Sequence, residues 1–162
     1  MSERTRDLTS SSRAIEKRAR VAGSLGEVWA SWTTSAGFSA FLGAECKIEL
    51  QIGGAFEIYF NPEAPVGERG SERCKVLSYL PERMLSFSWN GPPTIPELRE
   101  EHTWVVLQFD PVEGGVDVSL THLGWGEGGR WDELYAYFDR NWGAVLDQLC
   151  AHFAGTDTDT KS

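Results

Sequence analysis

The 162-residue chain has only three cysteines, Cys46, Cys74 and Cys150, an odd number at wide spacings. Neither a disulfide framework nor a C-x-x-C metal or redox site can be drawn from them, so they read as reduced thiols in or beside a core. Nor is there an apolar run of the ~18 residues that a membrane span needs. The first dozen residues, MSERTRDLTSSS, lack the apolar stretch of a secretory signal, so the expectation is a cytoplasmic protein with no membrane contact. Positive charge is scarce as well: 15 Lys and Arg stand against 24 Asp and Glu, a net charge of −9. The longest basic cluster, Arg13 to Arg20, is interrupted, which makes phosphate backbones and anionic lipid poor partners.

Several kinds of catalytic signature are missing too. The glycine-rich GWGEGGR (residues 124–130) has no Lys-Ser or Lys-Thr after it, and it follows an antiparallel strand pattern rather than opening a βαβ unit, so it is no phosphate loop. Asp and Glu show no metal-like clustering, so neither a metal nor any other cofactor is expected. No Ser or Cys stands in a recognisable nucleophile elbow, and no catalytic residue is assigned. An enzyme is the less favoured reading.

What the chain has in quantity is aromatic side chains. Seven Trp and eight Phe exceed what a minimal core requires, while 41% apolar and 24% charged residues are ordinary globular usage. A domain of about 150 residues buries roughly 68–70% of its unfolded surface, enough for a core without staples. One domain over 14–154 is expected, between polar, aperiodic tails at 1–13 and 155–162.

Hydrophobic periodicity divides that domain. AIEKRARV alternates, with Ile15, Ala19 and Val21 on one face, as a half-exposed strand does. Ser24 and Glu27 form an S-x-x-E capping box before Leu25, Val28, Trp29 and Trp32, at helical spacing, and a short second helix spans Ala36 to Leu42 with Gly43 as its stop. From Ala44 the period becomes two. Cys46, Ile48 and Leu50, a Gly53-Gly54 turn, then Phe56, Ile58 and Phe60 read as a hairpin. A second hairpin follows through SERCKVLSYL and LSFSW. After the proline-rich loop GPPTIPELRE, HTWVVLQF and VDVSLTHL form a third. The chain closes with one long amphipathic helix in which Trp131, Leu134, Phe138, Trp142, Val145, Leu149 and Phe153 step by three or four. Gly143 inside it suggests close packing against something bulky, and His152 falls in its expected last turn.

The order β-α-α-β6-α, with Glu27-Val28-Trp29 in the first helix, resembles the helix-grip fold of the START-like (SRPBCC) superfamily. Within it the chain is similar to the subfamily named for the activator of the heat-shock-protein ATPase. Ile52-Gly53-Gly54-Ala55-Phe56 matches its hairpin turn, and the stretch from Tyr79 to Trp89, with Pro81, Leu85 and Phe87, matches its strand entry. Ser119-Leu120-Thr121-His122-Leu123-Gly124 matches a strand end, and Asn141-Trp142-Gly143 with Leu146 and Leu149 matches the closing helix. Together these motifs cover about residues 15 to 153. The resemblance implies an α+β fold, a curved antiparallel sheet wrapped around the C-terminal helix, with a cavity that in many relatives holds a small apolar molecule. Members range from lipid carriers to cyclases and chaperone activators, so the fold does not select a function.

Strand alternation directs Phe56, Ile58, Phe60, Phe87, Trp89 and His122 toward the helix, which offers Trp131, Leu134, Phe138 and Trp142 in return; these ten are the candidate ligand-binding residues. The expected cavity lies near Trp89, His122, Trp131 and Phe138, with the loops at 91–100 and 124–130 as lids. His122 reads either as a satisfied structural histidine or as a ligand contact. His102, Trp104 and Val106 sit on the outward face as a candidate homodimer interface, unless the neighbouring loop folds over Trp104. The leading expectation is a carrier or sensor of a small apolar molecule. The alternative is a cyclase-like, aromatase-like or hydrolytic enzyme with His122 as acid or base. It would need Glu57, Tyr59, Glu72 or Arg73 turned within reach of His122 or of a bound ligand, although strand parity points Glu57 and Tyr59 outward. A chaperone ATPase-activating role ranks last, since only the family name favours it.

Overall fold

The structure, a computed structural model, describes residues 13–161, with side chains through Ala154. Strand β1 (Ile15–Val21) opens the fold and alternates buried and exposed as its sequence does. Helix α1 (Leu25–Thr33) starts where the capping box places it. The Ser24 hydroxyl accepts from the Glu27 amide at 3.2 Å, and the Glu27 carboxylate accepts from the Ser24 amide at 3.3 Å. Thr34, in extended conformation, ends α1 and caps α2 (Ser35–Leu42), whose Gly37 amide it receives at 2.9 Å. Gly43 stops α2 at φ 78°, a left-handed conformation that costs glycine nothing.

Six strands follow, as the periodicity predicts: β2 (Glu45–Ile48), β3 (Phe56–Tyr59), β4 (Val76–Leu80), β5 (Met84–Trp89), β6 (Thr103–Val112) and β7 (Gly115–Leu123). They make a curved antiparallel sheet of order β1-β7-β6-β5-β4, with β2 and β3 paired separately. Bridges Ala55 to Lys75 and Tyr59 to Gly70 join that pair to the chain around β4. A single 3-10 turn (Pro96–Leu98) interrupts the proline-rich loop.

Helix α3 (Arg130–Lys161) lies along the sheet, packed on β1, α2 and the 3-10 turn. Its buried stripe is Leu134, Phe138, Trp142, Leu146, Leu149 and Phe153. Leu146 takes the inward place that the three-and-four stepping assigns to Val145, which is only half-buried. The helix runs past Gly155, where the sequence pattern ends, so His152 lies well inside it rather than in its last turn. The expected N-terminal tail, apart from Arg13, and Ser162 lie outside the described residues. Gly143 does not do what its position suggests: a Cβ there would meet nothing within 4 Å. It faces open space, so no neighbour demands glycine. Among the described residues, no helix is long and apolar enough to cross a membrane.

Candidate functional site

A cleft of about 820 Å³ opens between the sheet and α3. Its helix wall is the turn-to-turn face carrying Tyr137, Phe138, Asn141, Trp142, Ala144, Val145 and Gln148. Opposite stand Tyr59 and Phe60 at the end of β3 and Trp89 at the end of β5. The C-terminus of α2, through Leu42, Gly43 and Ala44, closes one side, and the loops 61–71 and 90–94 form the rim. Trp89 and Trp142 meet at 5.3 Å between ring centroids, tilted by 47°, with Phe138 at 6.4 Å from Trp142. Such ring pairs make a rigid apolar wall with few rotatable bonds.

The two rim loops are tied together by a buried ion pair. Arg99, in the proline-rich segment, donates to the carbonyls of Gly67 (2.6 Å from Nη2), Gly70 (2.9 Å) and Gly91, and reaches Glu72 at 3.3 Å. Glu72 in turn accepts from the amides of Gly67, Arg69 and Gly70 at 2.5, 2.7 and 3.0 Å. Burial alone would raise the Glu72 pKa. The three amides and the Arg99 charge outweigh it and hold the carboxyl below its ordinary value. Both partners are hydrogen-bonded well beyond the pair itself, which is what a buried pair needs to be stable. On the far side Arg130 bonds Glu97 and the Thr94 carbonyl at 3.1 and 3.2 Å, fastening the loop to α3.

His122 is completely buried behind the Trp89–Trp142 wall, and it does not line the cleft. The Trp142 indole N–H donates to its Nδ1 at 2.9 Å, so Nδ1 carries no proton and Nε2 does. Nε2–H donates to the Thr103 hydroxyl at 2.6 Å, which donates onward to the Trp89 carbonyl at 3.4 Å. Burial pushes the His122 pKa down to about 3. A neutral ring with both nitrogens occupied has no lone pair or proton to offer a substrate. Neither Glu57, Tyr59, Glu72 nor Arg73 bonds to it; Tyr59 donates instead to Glu57 at 2.5 Å, and burial, then that bond, raises its pKa. Burial raises all three thiols, Cys74 to about 12, which keeps them toward the unreactive protonated form. Among the described residues, no three His, Cys, Asp or Glu side chains cluster as a metal site requires.

Of the ten residues expected at the cavity, Phe60, Trp89, Phe138 and Trp142 line it. Phe60 does so differently from its expectation: β3 ends at Tyr59, the chain bends, and the ring stands 54% exposed at the mouth rather than facing inward. Phe56, Ile58, Phe87 and Leu134 are solid core. Phe56 stacks on Phe87 at 3.9 Å, leaving no room between them. Trp131 lies across Gly126, outside the cleft. The 124–130 loop is no lid. Its Trp125 is fully buried under His122, with ring centroids 4.4 Å apart and its N–H on the His122 carbonyl at 2.8 Å. A lone Trp among four glycines was the signal for that anchor. The 91–100 loop expected there does form part of the rim, through Gly91 to Thr94 and Arg99; the loop 61–71 carries no periodicity, so nothing in the sequence pointed to it or to its bonds with Arg99. On the outer face His102 is exposed, while Trp104 and Val106 are half-buried. Part of the Trp104 ring lies on Gly124, whose φ of 94° and absent Cβ make the approach possible.

A curved antiparallel sheet gripping a long C-terminal helix, with an open cleft between them, is the helix-grip architecture, commonly a ligand-binding fold. The family model described as Activator of Hsp90 ATPase homolog 1-like protein matches residues 23–154, and the chain belongs to that family. Solved structures agree on the fold. A crystal structure of a protein from Mesorhizobium loti superposes with a TM-score of 0.70 at 17% identity, covering 89% of this chain and 98% of that one. The solution structure of the Aha1 dimer from Colwellia psychrerythraea gives 0.66 at 20%, over 87% and 96%. CalU16 from Micromonospora echinospora gives 0.61 at 24%, over 85% and 72%. No curated protein matches the chain.

Proposed function

We propose that the chain binds a small, largely apolar molecule in the cleft between the sheet and α3, as a carrier or sensor. The observation that carries this is the cleft itself: about 820 Å³, with Trp89, Phe138, Trp142 and Val145 as apolar wall. That volume falls within the roughly 300–1,000 Å³ of small-molecule sites. The rim supports the same reading, because Arg99, Glu72 and Arg130 hold both loops in place without any ligand, so little ordering cost falls on binding. The catalytic reading draws no support from His122, which is sealed, neutral and doubly bonded.

A neutral apolar dye, phenylnaphthylamine, tests the proposal. Its fluorescence should rise on mixing with the protein and saturate at one equivalent. Val145→Phe, which puts a ring into the cleft from α3, should weaken that binding by about tenfold or more, as overfilled sites do. No rise, or equal affinity in the filled variant, would remove the cleft as the binding site.

A further inference from the structure

The polar groups around the cleft fall into two sets, those already used by the fold and those left open toward the cavity. Ser71 is used: it accepts the Ile58 amide at 2.7 Å and donates to the Phe56 carbonyl. Asn90 donates to the carbonyls of Gly70 and Glu72 at 3.2 and 3.4 Å, and Arg99 is engaged by the Gly67, Gly70 and Gly91 carbonyls and by Glu72. The Tyr59 hydroxyl is held by Glu57.

Asn61, Thr94 and Gln148 carry open polar groups too, but they stand exposed at the mouth; Tyr137 and Asn141 are the half-buried ones left. They stand four residues apart on α3, hence on one face of the helix, and both line the cleft. Each is half-buried, and among the described residues neither the Tyr137 hydroxyl nor the Asn141 amide makes a hydrogen bond. Their sequence neighbours Phe138 and Trp142, also four apart, supply the aromatic wall beside them. The helix therefore presents two parallel pairs: one aromatic, one a hydroxyl and an amide with donor and acceptor capacity free.

Charge narrows the class of ligand. Arg99 is neutralised by Glu72, which leaves Glu45, Glu68 and Arg69 as the cleft's charges without an ion-pair partner among the described residues, two negative against one positive. The chain as a whole carries −9. An anionic head group gains nothing here.

We infer that Tyr137 and Asn141 are the specificity-determining residues of the cleft, reading the hydrogen-bonding edge of a neutral, planar aromatic ligand whose ring packs against Trp89 and Trp142. This deepens the ligand-binding proposal and rests on it. The hydroxyl accepts from or donates to the ligand's polar group, and the amide does the same one helical turn away. A hydroxyl or carbonyl on the ring is thereby distinguished from bare hydrocarbon. Discrimination of this kind is strong, because a ligand without the polar edge strips water from both groups and returns no bond.

Naphthol, naphthalene and naphthoate, with positions of substitution matched, form a test set read by quenching of tryptophan fluorescence. The wild-type protein should bind naphthol about tenfold more tightly than naphthalene, two modest hydrogen bonds' worth. It should bind naphthoate more weakly than naphthol. Asn141→Leu and Tyr137→Phe should each cut the naphthol-to-naphthalene ratio by roughly threefold, while naphthalene affinity changes by less than about twofold. That unchanged naphthalene binding also reports that each variant is folded. A ratio preserved in both variants overturns the inference and leaves the cleft reading standing. Naphthoate binding as tightly as naphthol overturns the neutral-ligand part. Failure of all three compounds to bind the wild-type protein overturns the ligand-binding proposal itself.

Discussion

His122 shows how one residue's two readings are separated by geometry. Strand alternation places it inward among aromatics, and the structure agrees. Which of its nitrogens is protonated depends on Trp142 and Thr103, residues brought from α3 and β6 by tertiary packing, and no sequence spacing could supply them. Because burial pushes its pKa down to about 3, the folded state binds the imidazole proton less readily than the unfolded chain does. Its contribution to stability is thus fully present above the unfolded value near 6.5 and is lost as pH falls toward the folded one. Urea unfolding should show stability falling by about 1.4 kcal/mol per pH unit between roughly pH 6 and 5, before the carboxylates titrate. His122→Gln should be less stable at neutral pH but nearly flat across that window. A wild-type curve with no slope there would contradict the buried neutral ring. Trp142→Phe keeps the ring stack but strands Nδ1, and should cost about 1–3 kcal/mol in the same assay.

At the scale of elements, caps and periodicity made both short helices, all seven strands and the start of α3 legible. The Ser24–Glu27 box, Gly43 and the Phe56–Ile58 alternation each have a local physical cause that appears in the sequence within a few residues. The loops were not legible, because their form is set by long-range bonds such as Arg99 to Gly67 and Gly70. Replacing Arg99 by Leu leaves Glu72 without its cation and the Gly67 and Gly91 carbonyls without a donor, so thermal unfolding should report a loss of about 3–5 kcal/mol. A loss under ~1 kcal/mol would mean the rim is not held this way. Gly143 offers the opposite case. With open space at its Cβ position and a helical backbone, Gly143→Ala should stabilise the protein by about 0.5–1 kcal/mol in urea unfolding. Destabilisation would restore the close packing that the sequence suggests.

For the molecule as a whole, the order of elements and the motifs from Glu27 to Leu149 suffice to place the chain in its family, and the family model covers residues 23–154. The cleft's position was less accessible. Alternation tells which face of a strand looks inward, but not where inward side chains meet and where they leave a gap. Phe56 and Phe87 fill their space by stacking, whereas Trp89, two residues further along β5, faces the void. The gap is bounded by the 61–71 and 90–94 loops, which Arg99 ties together. The proposal stands or falls on whether this void holds a ligand. Native mass spectrometry of the protein purified from its own host, beside a denatured sample, answers that. An apolar compound near one-to-one, released on denaturation, is the expected result. A protein that emerges empty and stays at its bare mass when offered naphthol and phenylnaphthylamine would contradict it.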